Sequence, residues 1–236
     1  MRSTHADENH ERFPVTVRVL NSYHFRNVEN NRRKRKGKRM EKNRLRQQLD
    51  FILEIDKEKQ IRRQTYLTDG EHKENDAEHA WHMAIMAILL AEYANEPIDV
   101  LRTVQMLLIH DIVEIDAGDT YAYDEEGKKT QAERERRAAK RIYGLLPEDQ
   151  GNMLYEVWRE FEEQKTPEAR FARTLDNLQP MMLNAATDGK AWVEHGVHID
   201  QILNRNRDTH LGSETLWNYA EEHFLKPNLE NGHINS

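Results

Sequence analysis

The stretch LLIHDIVEIDAGDT, residues 107–120, decides the fold of this chain. It begins as an apolar helix and ends in an acidic loop at Gly118, where the helix is expected to stop. Glu114 follows His110 by four residues, so on a helix its carboxylate lies near the adjacent His110-Asp111 pair. Ionisable side chains at the end of an apolar helix are costly to bury without a partner. A divalent metal ion would be such a partner.

The composition indicates amphipathic helices rather than a large continuous core. Of the 236 residues, 37% are hydrophobic and 33% are charged, so the apolar side chains must lie in narrow stripes. The chain has no cysteine, which excludes disulfides, thiolate metal sites and a cysteine nucleophile. Any metal ion must therefore be held by histidine and carboxylate. No apolar run reaches the roughly 18 residues of a membrane span and no secretory signal is visible, so a cytoplasmic protein without a membrane partner is predicted.

The first 39 residues differ in charge from the rest of the chain. They contain eleven Lys/Arg and four Asp/Glu, although the whole chain has a formal net charge of -7. Because no hydrophobic period is sustained there, residues 1–39 are predicted to be a disordered basic extension. The basic run at residues 32–36 leaves a second interpretation open, an arm that contacts nucleic acid.

Helical periodicity begins after residue 40 and continues to about residue 225. Asn75 and Glu78 have the spacing of a capping box, which starts a strongly apolar helix. Residues 60–75, just before it, are predicted to be a connecting loop, and the His-Asp pair falls on the next helix, about residues 98–115. No stretch alternates with period two over the length of a strand. The sequence predicts an all-α fold, with a single multi-helix domain at 40–225 and a polar tail at 226–236.

Two further helices supply residues that could join the His110-Asp111 pair in holding a metal ion. His79 lies one turn into the apolar helix, and Asp176 lies on the apolar face of a later helix. Each has an ordinary alternative, because a buried histidine usually bonds a carbonyl group and Asp176 could pair with Arg173. The joint pattern of an inward histidine, a His-Asp pair and an inward aspartate on three helices favours a metal site.

This H…HD…D pattern resembles that of the HD-domain superfamily of metal-dependent phosphohydrolases. Over roughly residues 45–190 the chain looks like the 5'-deoxynucleotidase branch of that superfamily. The resemblance implies a helical HD-domain bundle that takes a small-molecule nucleotide and forms a homodimer. It rests on five short motifs: Ala77-Glu78-His79, His110-Asp111 with Glu114, Gly118-Asp119, Leu145-Leu146-Pro147-Glu148-Asp149, and Leu175-Asp176.

The resemblance also implies roles for individual residues. Two-metal relatives need additional histidines after the His-Asp pair, and residues 112–175 contain none, so one divalent ion is expected. Its identity stays open among Mn, Co, Mg, Zn and Fe. The implied metal ligands are His79, His110, Asp111 and Asp176, the implied catalytic residues are Glu114 and Asp119, and the implied substrate-binding residues are Arg63 for the phosphate, Tyr66 for the sugar and again Asp119.

These residue types suit the removal of phosphate from nucleoside 5'-monophosphates, deoxy forms in particular. A divalent ion activates water, Glu114 can accept a proton from that water, and the Arg63 guanidinium matches a phosphate. Two alternatives remain open: a nucleotide triphosphohydrolase or pyrophosphohydrolase on the same scaffold, and a non-catalytic helical module that binds nucleic acid through the basic extension. Trp158 and Trp217 are predicted to be exposed, which favours a homodimer.

Overall fold

The computed structural model describes Gly37, residues 40–119, Tyr123 and residues 125–236, without the side chains of residues 125 and 128. The basic extension predicted for residues 1–39 therefore lies, except for Gly37, outside the described residues. The chain divides into two compact units, Met1–Arg46 and Gln47–Ser236. All the contacts discussed below lie within the second unit.

Helices make up most of the described chain, which confirms the predicted all-α class. Short 3-10 turns lie at Asp56–Gln60, Ala91–Tyr93, His110–Val113 and Thr209–Leu211, and a π turn lies at Glu221–Leu225. The α-helices in chain order are α1 (residues 40–55), α2 (Asp76–Leu90), α3 (Val100–Ile109), α4 (Glu114–Ala117), α5 (Glu125–Tyr143), α6 (Glu148–Glu163), α7 (Pro167–Ala186), α8 (Lys190–Glu194), α9 (Ile199–Asn206), α10 (Glu214–Ala220) and α11 (Lys226–Glu230).

A short antiparallel hairpin corrects the prediction of a loop over residues 60–75. Strand β1 (Arg62–Tyr66) pairs with strand β2 (Lys73–Asn75), and Gly70 in the connection has a φ of 68°. Strands of five and three residues are too short to show the alternation that identifies a strand in a sequence. The hairpin matters for the site because β1 carries Arg63 and β2 leads directly into α2.

The predicted capping box at the start of α2 is present. The Asn75 side chain accepts a hydrogen bond from the Glu78 backbone N–H at 3.0 Å, and the Glu78 carboxylate accepts one from the Asn75 N–H at 2.9 Å. The two bonds satisfy backbone donors that would otherwise lack partners at a helix start. Because they fix where α2 begins, they also fix His79 in its first turn, facing the core.

The core lies where α2, α3 and α7 pack against one another. Met83, Met106, Leu107, Phe171 and Leu175 have no exposed surface there. α2 carries His79, α7 carries Asp176, and the His-Asp pair follows directly after α3. The packing of the core therefore also holds the candidate ligands at fixed positions.

The prediction that two tryptophans are exposed is wrong for Trp158. Its side chain is only 4% exposed and joins the core, while Trp217 is half-buried. Trp158 lies on the same buried face of α6 as Phe161, so the apolar face of that helix is turned inward. An argument for a homodimer must therefore rest on other residues.

The last residues of the chain pack within the second unit. The sequence predicts a polar tail at 226–236. After α11, Ile234 is 2% exposed, and the Asn235 backbone bonds Val197 and Ile199 at 2.9 and 2.8 Å. With only Leu229 and Ile234 as aliphatic residues, residues 226–236 give too little periodicity to show the packing in the sequence. Among the described helices, none is long and apolar enough to cross a membrane.

Candidate metal centre

The sequence predicts a continuous helix over residues 98–115, but in the structure the His-Asp pair lies on a 3-10 turn. α3 ends at Ile109, His110–Val113 form a 3-10 turn, and α4 resumes at Glu114. Gly118, with a φ of 75°, then ends the helix as expected. The tighter turn leaves both His110 and Asp111 buried, at 5% and 9% exposure.

The structure brings together the four residues that the sequence pattern nominates as ligands. The Nε2 atom of His79 lies 3.2 Å from Asp176 Oδ1 and 4.0 Å from Asp111 Oδ2. The Nε2 atom of His110 lies 3.0 Å from Asp111 Oδ1 and 3.7 Å from Asp176 Oδ1. His79, His110 and Asp111 each offer one ligand atom, and these three atoms lie within 4.8 Å of one another. A single cation could therefore contact all three.

Both histidines are oriented by a hydrogen bond from the nitrogen that faces away from the cluster. The Nδ1–H of His79 donates to Gln179 Oε1 at 3.0 Å, and the Nδ1–H of His110 donates to the Leu107 carbonyl at 3.1 Å. Histidines that bind metals are commonly held in this way, because the second nitrogen is then left without a proton. In both residues, the Nε2 atom is the one that points at the carboxylates.

Buried polar atoms without hydrogen bonds support the hypothesis that the cluster binds a cation. The buried Nε2 atom of His110, although 3.0 Å from Asp111 Oδ1, forms no hydrogen bond of acceptable geometry within the described part of the chain. The buried Asp76 Oδ2 and Glu114 Oε2 atoms likewise lack a hydrogen bond there. Buried polar atoms without partners are rare in folded proteins and call for a ligand or an ion. An imidazole nitrogen beside carboxylate oxygens is a donor set that suits divalent transition metals and Mg²⁺.

The electrostatics of the cluster also favour a cation. Burial would lower the pKa of His110, but Asp111 and Asp176 raise it to about 10. Burial would raise the pKa of Asp111, but the neighbouring His110 and Arg63 hold it well below its usual range. A site that holds a proton this strongly on an imidazole carries an excess of negative charge, which a metal ion would balance.

Arg63 and Asp76 complete the charged wall behind the ligands. Arg63 Nη1 lies 2.9 Å from Asp111 Oδ2 and 3.3 Å from Asp76 Oδ1, and its Nε lies 3.8 Å from Glu74 Oε2. Asp76 has no exposed surface, and burial, followed by the charge of Asp111, raises its pKa to about 7. The sequence analysis overlooked Asp76, although its position three residues before His79 places both on adjacent helical turns.

A central cavity opens in front of the cluster. Its wall includes His110, Asp111 and Asp176, and also Glu114 and Asp119, the two residues to which the resemblance assigns catalysis. Glu114 is 8% exposed, and burial, followed by the charge of Asp111, raises its pKa well above the usual range. Three of the four ligand candidates and both catalytic candidates therefore line one cavity, and His79 lies buried behind them.

Tyr66 does not reach this cavity, which corrects its assignment beside the sugar. Among the described residues it is absent from the cavity wall, and its hydroxyl donates to Glu194 at 2.9 Å while Lys190 Nζ lies 4.2 Å from its ring centre. The pairing of β1 with β2 is irregular between Arg62 and Tyr66. Arg63, Gln64 and Thr65 line the cavity, whereas Tyr66 contacts Glu194 outside its described wall. The aromatic side chains on the wall are Tyr123, Phe161 and Trp192, which the sequence pattern did not identify.

The fold and the site define a helical domain with a buried histidine–aspartate cation site facing a cavity. The chain belongs to the HD domain family, whose model matches residues 55–217. This confirms the family resemblance of the sequence.

Solved and curated relatives agree with this assignment. The crystal structure of a predicted metal-dependent phosphohydrolase from Magnetospirillum magnetotacticum MS-1 has 47% sequence identity, a TM-score of 0.78, and a match that covers 82% of this chain and 97% of that one. The 5'-deoxynucleotidase HDDC2 of Homo sapiens is 35% identical over 116 residues, 49% of this chain and 55% of the relative. The 5'-deoxynucleotidase HDDC2 of Bos taurus is 32% identical over 139 residues, which cover 58% of this chain and 66% of the relative. The chain thus matches these two relatives over less than two thirds of their length.

Proposed function

We propose that this protein is a divalent-metal-dependent phosphohydrolase that removes phosphate from nucleoside 5'-monophosphates, deoxy forms in particular. The observation that carries the proposal is the convergence of His79, His110, Asp111 and Asp176, the last three of which line a cavity together with a buried Glu114. The membership of the HD domain family and the names of the relatives support the same reaction class.

Four residues would hold one divalent ion: His79, His110, Asp111 and Asp176. Mn, Co, Mg, Zn and Fe are all compatible with imidazole and carboxylate donors. When bound, such an ion supplies a Lewis acid for a phosphoryl oxygen and acidifies water. Arg173 donates to Asp176 Oδ2 at 2.9 Å, so Asp176 keeps its Oδ1 directed at the two histidines. The ion pair predicted as an alternative to metal binding is therefore compatible with it.

Glu114 would accept the proton of the attacking water. Its Oε2 atom makes no hydrogen bond to any described residue, and the side chain lines the cavity beside Asp111. Burial raises the pKa of Glu114, which makes its carboxylate a stronger base than an exposed one. As water attacks phosphorus and the bond to the 5' oxygen breaks, Glu114 would take one proton from that water.

Asp119 and Arg63 would handle the other end of the reaction and the phosphate. Burial raises the pKa of Asp119, which allows its carboxyl to carry a proton that the departing 5' oxygen can receive. Arg63 offers its guanidinium to the phosphate while it neutralises Asp111. The sugar would contact Trp192 or Tyr123, which line the cavity where Tyr66 does not.

The outer face of α2 supports a homodimer better than the tryptophans of the sequence analysis do. Trp81, Ile85, Ile88 and Leu89 follow helical spacing and are 64%, 41%, 58% and 65% exposed. An apolar stripe of this kind on a helix marks an interaction surface. A second copy of the chain is its proposed occupant.

A nucleotide panel tests the reaction. Purified protein with Mn²⁺ or Co²⁺ is expected to release inorganic phosphate from deoxynucleoside and nucleoside 5'-monophosphates. The matched variants His110→Ala and Asp111→Ala should lose this release. Release of triphosphate or pyrophosphate from nucleoside triphosphates would instead assign the triphosphohydrolase or pyrophosphohydrolase reaction. Unchanged phosphate release in both variants would remove the mechanism.

A further inference from the structure

Three arginines line the central cavity among the described residues, and two of them are already engaged. Arg63 faces Asp111 and Asp76 at 2.9 and 3.3 Å. Arg173 pairs with Asp176 at 2.9 Å and with Glu162 at 3.4 Å, and its guanidinium lies 4.2 Å from the Phe161 ring centre. The charges of both are therefore balanced by carboxylates of the protein itself.

Arg205 is the exception. It lies in the last turn of α9, is half-buried, and makes no hydrogen bond or ion pair within the described part of the chain. Arg205 lines the same cavity as Asp119. Burial raises the pKa of the Asp119 carboxyl, and the charges of Arg63 and, more weakly, Arg205 oppose the rise. Within the described part of the chain, the donors of the Arg205 guanidinium therefore have no protein acceptor.

The surroundings of Arg205 indicate what it could bind. It also lines a neighbouring hollow whose wall includes Arg173, Asn177 and the Arg207–Asp208 ion pair, which is neutral overall. A guanidinium presents five donors in a plane that matches two oxygens of a phosphate. A ligand with a dianionic phosphate would supply the partners that the protein does not.

We propose that Arg205 binds the substrate's phosphate group, as a second cation contributed by α9 in addition to Arg63 on β1. This rests on the proposed phosphohydrolase function, in which the phosphate enters the central cavity. Arg63 would then chiefly neutralise the carboxylates behind the metal ligands. Arg205, with no competing partner among the described residues, would give the phosphate its charge-assisted hydrogen bonds.

The test compares Arg205→Gln, Arg205→Lys and the control Arg207→Gln. Arg207 is two residues away, pairs with Asp208 at 3.2 Å and does not line the central cavity among the described residues. With Mn²⁺ and a deoxynucleoside 5'-monophosphate, Arg205→Gln should raise KM and the inhibition constant of inorganic phosphate each by about tenfold or more. Arg205→Lys should recover part of both, kcat should change far less than KM, and Arg207→Gln should behave as the wild type.

Two results would overturn the proposal. One is an unchanged KM and phosphate inhibition constant in Arg205→Gln. The other is a raised KM with unchanged inhibition by phosphate, because Arg205 would then contact the nucleoside and not the phosphate. If the wild type hydrolyses no monophosphate, the thermal shift caused by inorganic phosphate replaces the kinetic readout. A shift that Arg205→Gln removes and Arg207→Gln retains would support Arg205 even though the proposed function had failed, and a shift retained in Arg205→Gln would refute it.

Discussion

Gln179 holds the imidazole of His79 from behind, with its Oε1 accepting the Nδ1–H at 3.0 Å. The amide nitrogen of the same Gln179 donates to Glu74 Oε1 at 2.6 Å and lies 3.2 Å from Nδ1 of His82. One side chain on α7 therefore fixes the orientation of a proposed ligand on α2 and also connects it to β2. His82 contacts the same Gln179 side chain and so lies next to the hydrogen bond that orients His79.

Gln179→Ala is expected to weaken metal binding without removing any ligand. Loss of such a supporting hydrogen bond typically lowers metal affinity by about 10–100-fold, because the imidazole is no longer held in one orientation. Titration with Mn²⁺ or Co²⁺ measures the change. Gln150→Ala serves as the control, because Gln150 bonds Gln48 and is not among the described residues on the cavity wall. Equal affinities of the two variants would contradict the supporting role.

Glu114→Gln is expected to keep the metal and lose the reaction. The amide has nearly the shape of the carboxylate but cannot accept the proton, so kcat should fall by about 10²–10⁴-fold with a smaller change in KM. Metal content per chain, measured on the same preparation, should match that of the wild type. The exposed Glu156 provides the control Glu156→Gln. A variant with wild-type kcat would show that Glu114 is not the base.

Glu58→Gln is expected to reduce the loss of thermal stability that the metal-free protein shows as pH rises. Glu58 is 7% exposed, and burial, followed by the charges of Asp111 and Asp76, raises its pKa from 4.5 to about 8. Between pH 4.5 and 8 the unfolded chain releases this proton more readily than the folded one, so ionisation lowers the free energy of unfolding as pH rises.

The measurement is Tm of both proteins in chelator across pH 5 to 9. The difference, variant minus wild type, should increase through this window and level off above about pH 8. Because the Oε1 atom of Glu58 makes no hydrogen bond to a described residue, the amide loses no bond at that atom. A difference that stays constant with pH would mean that Glu58 does not titrate in this range.

Ile88→Glu is expected to convert the proposed homodimer into a monomer. A charge in the middle of the exposed stripe of α2 would have to be buried against the second copy, which costs several kcal/mol when it is unpaired. Sedimentation at several concentrations gives the molar mass. The control is Met153→Glu, at a 52% exposed apolar residue of α6. A wild type that sediments as a monomer would remove the proposal, as would a dimer that survives Ile88→Glu.

Helical spacing was enough to predict which side chains converge. His79 and Asp176 face inward because the apolar positions around them repeat with the helical period, and the buried side chains around them in α2 and α7 agree with this. The capping box of Asn75 was predictable for the same reason, since it depends on residues three apart. Local periodicity thus predicted the class of fold and which side chains converge.

Tertiary packing decided what the sequence pattern missed. Tyr66 was assigned by its nearness in sequence to Arg63, but β1 is irregular between Arg62 and Tyr66, and the Tyr66 hydroxyl bonds Glu194 of α8. Trp158 was predicted to be exposed because the partner of its helix face was unknown. Trp192 and Arg205 lie outside residues 45–190, which contain the sequence motifs, and the folding of α8 and α9 brings them to the cavity.

The proposed ligands also bear on how the domain stays folded. His79 and Asp176 are 97 residues apart in the chain, yet their side chains are 3.2 Å apart. In a protein without cysteine, an ion shared by these two residues would act as a reversible cross-link that closes a loop of this length. A covalent link over a comparable loop is worth about 4–5 kcal/mol in the chain-entropy model. Withdrawal of the ion would then cost the protein not only its chemistry but a substantial part of its resistance to heat and proteolysis.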